Sequence, residues 1–188
     1  MDRRPAVSER LVPAVTFTEQ WFCEASQEAL AELAASTAHL DGDVVEVGCW
    51  EGRSTVALAA AVHPSTVHAV DTWQGSPNEI SADLAGARDV FATFTGNMAE
   101  LTDGNVVPHV MGWREYFADH RDPVRFIHID AEHSYREVFD NIAAVLPLMV
   151  SGGVICGDDV HHPPVQQAVF EQLGGVAVTA TLWHWRVP

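Results

Sequence analysis

From residue 43 onward, two rhythms of apolar positions alternate along the chain. Val44 to Gly48, Thr66 to Asp71, Asn105 to Met111, Arg125 to Asp130 and Gly153 to Gly157 are short β-rich runs. Their consecutive apolar residues predict strands buried on both faces. Ser54 to Val62, Leu84 to Leu101 and Tyr135 to Leu148 carry the three-to-four-residue spacing of helices. Strands of that kind alternating with helices predict a doubly wound α/β fold whose parallel sheet is covered on both sides. The tail departs from this rhythm. After a predicted helix from about Pro164 to Leu173, the runs Gly175 to Ala180 and Thr181 to Val187 lie too close together for a crossover helix, so they predict an antiparallel hairpin. Ahead of the sheet, Glu19 to Ser36 sets Trp21, Leu30 and Leu33 among alanines and acids, an amphipathic helix placed to cap the site or to pack on the sheet.

The 188 residues suit one domain. They divide into an N-terminal helical segment, 1–42, and the main domain, 43–188. Hydrophobic residues make up 47% of the chain, yet no run of about 18 apolar residues occurs, so no membrane span is expected. Met1 to Val15 lacks the apolar stretch of a secretory signal, and a cytoplasmic location is the default expectation. The formal net charge of −16, with 10 Lys and Arg, argues against a nucleic-acid partner and favours a small substrate. Cys23, Cys49 and Cys156 fit neither a disulfide framework nor a zinc site and read as reduced thiols.

In open α/β sheets ligands sit where the strands end. The first strand runs out through Gly48-Cys49-Trp50-Glu51-Gly52 to Ser54 and Thr55, so glycines allow a tight turn and hydroxyls suit a helix start. This Gly-x-x-x-Gly spacing differs from the Gly-x-Gly-x-x-Gly of nicotinamide sites and counts against hydride chemistry. Asp71 closes the second strand, 19 residues after Gly52, where an acid would accept hydrogen bonds from ribose hydroxyls.

On these residues, Glu46-Val47-Gly48-Cys49-Trp50-Glu51-Gly52 resembles the first motif of the S-adenosylmethionine-dependent methyltransferases, and Val70-Asp71-Thr72-Trp73 is similar to their second. The resemblance implies a Rossmann-like class I fold, mostly parallel and seven-stranded, with S-adenosylmethionine as cofactor. It implies cofactor contacts from Glu46, Gly48, Gly52, Ser54, Asp71 and Trp73. Met111-Gly112-Trp113 falls where the family places its adenine contacts, and Trp113 is read either as a stacking platform or as a core residue.

Strand four ends in Asp130-Ala131-Glu132-His133 and strand five in Asp158-Asp159. Three converging carboxylates repel one another unless a cation or protons intervene, and a hard divalent ion, magnesium first, is the simplest answer. Methyl transfer to a hydroxyl needs its proton removed, and His133, then Glu132, are the candidate bases. The plainer readings stand beside these: Asp130 as a helix cap, Asp158 and Asp159 as a solvated turn, His133 as a surface histidine. His161 and His162 are read as a loop at the substrate mouth, His128 as a core residue, and Trp73 to Asn78 as either a lid or a solvent loop anchored by one Trp.

The segment from Phe126 to Val160 resembles the metal-dependent O-methyltransferases that modify sugars of macrolide antibiotics, of the macrocin and mycinamicin type. That resemblance implies magnesium on Asp130, Asp158 and Asp159, and His133 as base. The expected function is therefore O-methylation of a small-molecule acceptor, such as a glycoside of a secondary metabolite. A metal-independent N- or C-methyltransferase and a degenerate binding module stay open. So does a homo-oligomer in which a partner copy closes the acceptor site.

Overall fold

Runs of Val and Ile, whose branched side chains suit a pleated surface packed on both faces, form the centre of the sheet. The computed structural model describes residues 17–77 and 79–188. Its strands are β1 (Asp43–Val47), β2 (Val67–Asp71), β3 (Val106–Val110), β4 (Val124–Ile129), β5 (Met149–Gly157), β6 (Ala177–Thr179) and β7 (Leu182–Arg186). They lie in the order β3-β2-β1-β4-β5-β7-β6. The first five pair in parallel, whereas β7 runs antiparallel between β5 and β6. The chain leaves β1 toward one edge and returns at β4 toward the other, so the switch point lies between those two strands. Pro108, which cannot donate to a ladder, sits on β3 at the sheet edge.

The helices are α1 (Glu24–Ala35), α2 (Arg53–Val62), α3 (Ile80–Ala87), α4 (Val90–Leu101), α5 (Trp113–Asp119), α6 (Tyr135–Val145) and α7 (Pro163–Leu173). Alternation along each strand sends Val44, Val67, Phe126 and Val154 to the face covered by α1 and α2, with α4 alongside over Ala69. Val45, Val47, Ile127 and Ile155 point the other way, under α5, α6 and α7. Leu30 and Ala34 of α1 are fully buried against this sheet, so the described part of segment 1–42 shares the main core. Met1 to Val15, with the expectation of no signal there, lies outside the described residues, as does Asn78.

Four boundaries differ from the sequence pattern. The predicted helix Leu84 to Leu101 is two helices, because Arg88 is extended (φ −151°, ψ 159°) and Asp89 caps a new start by accepting from Ala92 N–H at 2.9 Å. The predicted helix at Glu19 begins only at Glu24, and the residues before it cross the mouth of the site. Trp113 opens a short helix, α5, where the sequence pattern predicts none between the third and fourth strands. Finally, β5 starts four residues early and bulges against β4 between Val124 and Phe126, with Gly152 at φ 81°. Among the described residues, no helix is long and apolar enough to cross a membrane.

Candidate active site

A cleft of about 830 Å³ opens at the carboxyl ends of β1, β2, β4 and β5, a size suited to a small ligand. The turn after β1 forms its floor. Gly48 has φ 86°, and a Cβ there would lie 2.1 Å from the Asp130 carbonyl oxygen, so only glycine lets the ends of β1 and β4 approach this closely. Asp71 secures the turn: Oδ2 accepts from Cys49 N–H (2.7 Å) and Trp50 N–H (2.9 Å), and Oδ1 accepts from Trp73 N–H (2.7 Å). A carboxylate offers about four acceptor sites. Three of them are therefore committed to the backbone, which leaves about one at the cleft.

Of the residues expected to hold cofactor, Gly48, Ser54, Asp71, Gly112 and Trp113 line the cleft. Glu46, Gly52 and Trp73 are placed elsewhere. Glu46 is fully buried beneath α2, accepting from Thr55 Oγ1 and lying 3.1 Å from His128 Nδ1. Burial opposes charge on His128, but the bond to Glu46 and the charges of Asp130 and Glu46 outweigh it and raise its pKa. Gly52 (φ 90°) faces α4, where a Cβ would meet the Met98 methyl at 2.3 Å. Trp73 packs between Phe91 and Phe94 and donates from Nε1 to the Trp50 carbonyl at 2.8 Å, so it anchors its loop from within the core. Trp113 is half-buried at the cleft wall. Its Nε1 donates to Glu137 at 3.0 Å, and the Arg114 guanidinium lies 4.2 Å from its ring centroid.

The extended segment preceding α1 also belongs to the cleft wall, with Phe17, Glu19, Trp21 and Phe22 in its lining. Thr18 N–H donates to Glu51 at 2.6 Å, Trp50 Nε1 donates to Glu19 at 2.9 Å, and Arg88 bridges Glu19 and the buried Glu51. Sequence reasoning passed over Glu51 and Arg88. Their signals were the one basic residue of the stretch 84–101 and an acid between the two motif glycines.

At the other end of the cleft the structure brings together Asp130, His133 and Asp159. His133 Nε2 lies 2.9 Å from Asp159 Oδ2, an ion-pair distance out of hydrogen-bond alignment, and 3.7 Å from Asp130 Oδ1. Nδ1 faces Glu79 at 3.2 Å, a partner 54 residues away that the sequence did not suggest. Asp130 first and then Asp159 hold the His133 ring pKa up to about 11, and His133 in turn lowers that of Asp159. Asp158 is 9% exposed, its Oδ1 has no partner, and burial followed by the charge of Asp130 raises its pKa. Glu132 and His161 line the same wall, with His161 Nε2 3.5 Å from Asp159. Ser134, not Asp130, caps α6, accepting from Glu137 N–H. The ligand atoms of Asp130, Asp159 and His133 lie within 4.8 Å of one another, and Asp158, outside that group, lines the same cleft with an orphaned buried oxygen. Carboxylate oxygens of this kind fit a hard divalent cation.

The family described as "Methyltransferase domain" matches residues 45–160. No curated protein sequence matches the chain. Among solved structures it is similar to the O-methyltransferase NovP (TM-score 0.63, 19% identity, 86% of this chain and 78% of that one). It is similar to the TDP-rhamnose 3'-O-methyltransferase of calicheamicin biosynthesis (0.62, 15%, 88% and 81%). The O-methyltransferase TomG from Streptomyces achromogenes, solved with S-adenosylmethionine, gives 0.64, 17%, 94% and 83%. At these identities the likeness shows a shared fold.

Proposed function

The chain belongs to the methyltransferase-domain family, and we propose that it transfers the methyl group of S-adenosylmethionine to a hydroxyl of a small molecule, such as a sugar of a secondary metabolite, with magnesium's help. The observation that carries this reading is the shared mouth. The Gly48 turn held by Asp71 and the Asp130, Asp158, Asp159 and His133 group line one cleft. The likeness to O-methyltransferases, one of them named for a rhamnose nucleotide, supports the acceptor class.

On this reading Ser54 and the backbone around Gly48 receive the methionine end, Asp71 offers its remaining acceptor site to ribose, and Trp113 with Gly112 borders the base. Asp130, Asp158 and Asp159 would hold magnesium, which when bound lowers the pKa of a hydroxyl and fixes its approach. In the arrangement described here His133 carries a proton at neutral pH. It becomes a base only once the two carboxylates holding that proton are neutralised. Glu79 fixes Nδ1 and leaves Nε2 as the working nitrogen, and Glu132 is the second carboxylate within reach of the mouth.

One observation favours a metal-independent transferase acting on another acceptor atom: His133 already stands between Asp130 and Asp159 and, protonated, offsets one of their two charges. Calorimetric titration of S-adenosylmethionine into chelator-stripped protein, repeated with magnesium and with Asp158→Ala, separates the two. The proposal expects cofactor binding together with a magnesium signal that the variant loses, followed by methyl transfer to hydroxylated acceptors. Cofactor binding with no magnesium signal, even with acceptor present, moves the reading to the metal-independent enzyme. No cofactor binding overturns it.

A further inference from the structure

Away from the cleft, where β1 and β4 begin, a second group of ligating side chains meets. Asp43 opens β1, His68 is on β2, His120 ends α5, and Asp122 stands in the turn before β4. None of the four lines the cleft. The ligand atoms of Asp43, His120 and Asp122 all lie within 4.8 Å of one another. His120 Nε2 is 3.5 Å from Asp43 Oδ2, and His68 Nε2 reaches the other oxygen of the same carboxylate at 3.9 Å.

These separations are too long for hydrogen bonds. The 3.5 Å between His120 and Asp43 is close to what two ligands of one tetrahedral ion need: with ligand bonds of about 2.0–2.1 Å, neighbouring donor atoms stand roughly 3.3 Å apart. His68 stands just outside the group and would close on the ion from the other Asp43 oxygen. A second observation points the same way. The His120 side chain is 9% exposed, yet its Nε2, aimed at Asp43, has no hydrogen-bond partner. Tyr116, stacked on His120 with ring centroids 4.9 Å apart, keeps the imidazole from swinging away.

The geometry points to a zinc site made by Asp43, His120 and Asp122, with His68 as the fourth ligand. Two imidazoles and two carboxylates are the borderline-soft donor set that suits Zn²⁺ and leaves it without net charge. His109 supports the fourth ligand. Its Nε2 lies 3.1 Å from His68 Nδ1, and by accepting that ring's N–H it leaves His68 Nε2 deprotonated toward the ion, the outer bond that fixes a ligating imidazole. The ion would tie the starts of β1 and β2 to the turn that feeds β4. The role is structural, and it is independent of the methyl-transfer reading.

The test uses the full chain, stripped with chelator and carrying Asp159→Asn so that zinc binding among the cleft acids is suppressed. Zn²⁺ is titrated calorimetrically, and Co²⁺ is added as a visible probe of geometry. One tight Zn²⁺ equivalent, an intense tetrahedral cobalt band and a raised Tm are expected. Asp122→Asn, at an exposed position, and His120→Gln should each weaken Zn²⁺ binding by at least about 100-fold and abolish the cobalt band. His109→Phe should weaken it by about 10- to 100-fold. If His120→Gln fails to fold, Asp122→Asn decides alone. Zn²⁺ binding unaltered by Asp122→Asn, absent Zn²⁺ binding, or a weak octahedral cobalt spectrum overturns the site.

Discussion

Asp71→Asn is the most informative single change, because it separates a ligand contact from a backbone scaffold. The substitution is nearly isosteric but replaces one acceptor oxygen by an NH₂ group. Placing the remaining oxygen at the Oδ2 position keeps the Cys49 and Trp50 N–H groups bonded and turns the new donor toward Trp73 N–H. One charge-assisted bond is lost with its donor facing another donor, at about 2 kcal/mol, and two more fall from charged to neutral strength, at about 0.5 kcal/mol each. The total is about 3 kcal/mol. For a chain of this size that corresponds to a Tm lowered by roughly 6–12 °C. Urea unfolding of wild type and variant, without cofactor, measures the loss directly, and calorimetry with S-adenosylmethionine measures the effect on binding. If stability changes by less than about 0.5 kcal/mol while cofactor binding is lost, Asp71 acts on the ligand alone and the scaffold argument fails.

Two glycines of the same cleft should behave oppositely. Gly48→Ala, at φ 86° and 2.1 Å from a backbone oxygen, should cost about 3 kcal/mol or more and abolish cofactor binding. Gly112→Ala, with φ −72° and no atom within 4 Å of the added Cβ, should cost under about 1 kcal/mol; similar urea midpoints for the two variants would contradict this. In chelator-stripped protein, proton NMR should find His133 still protonated through neutral pH, since its pKa stands at about 11 against an ordinary 6.5. Because the folded value is the higher one, its contribution to stability is complete below about pH 6.5 and fades as pH rises toward 11. His133→Asn should flatten that slope, and a ring titrating near 6.5 would refute the ion-pair account.

Much of the scaffold was legible because its causes are local. Consecutive apolar residues marked the central strands, the short spacing between 175 and 187 demanded a hairpin, and an open sheet presents its strand ends, so the places of Gly48, Asp71, Asp130 and Asp159 at one cleft followed without coordinates. Local pattern also had limits within single elements: nothing in the apolar spacing of 84–101 showed that Arg88 would break the helix to reach Glu19 and Glu51. Which motif residues face the cleft was decided only by packing. Glu46 and Gly52 lie on the side that α2 and α4 cover, and Trp73 is drawn into the core by Phe91 and Phe94. The Glu79–His133 pair and the His68, His109, His120 and Asp43 group join residues from separate elements. Their chemistry depends on distances of a few ångströms between segments far apart in the chain, and periodicity carries no information about such distances. Sheet order, the layers of helices and the side chains filling the space between them set those distances together.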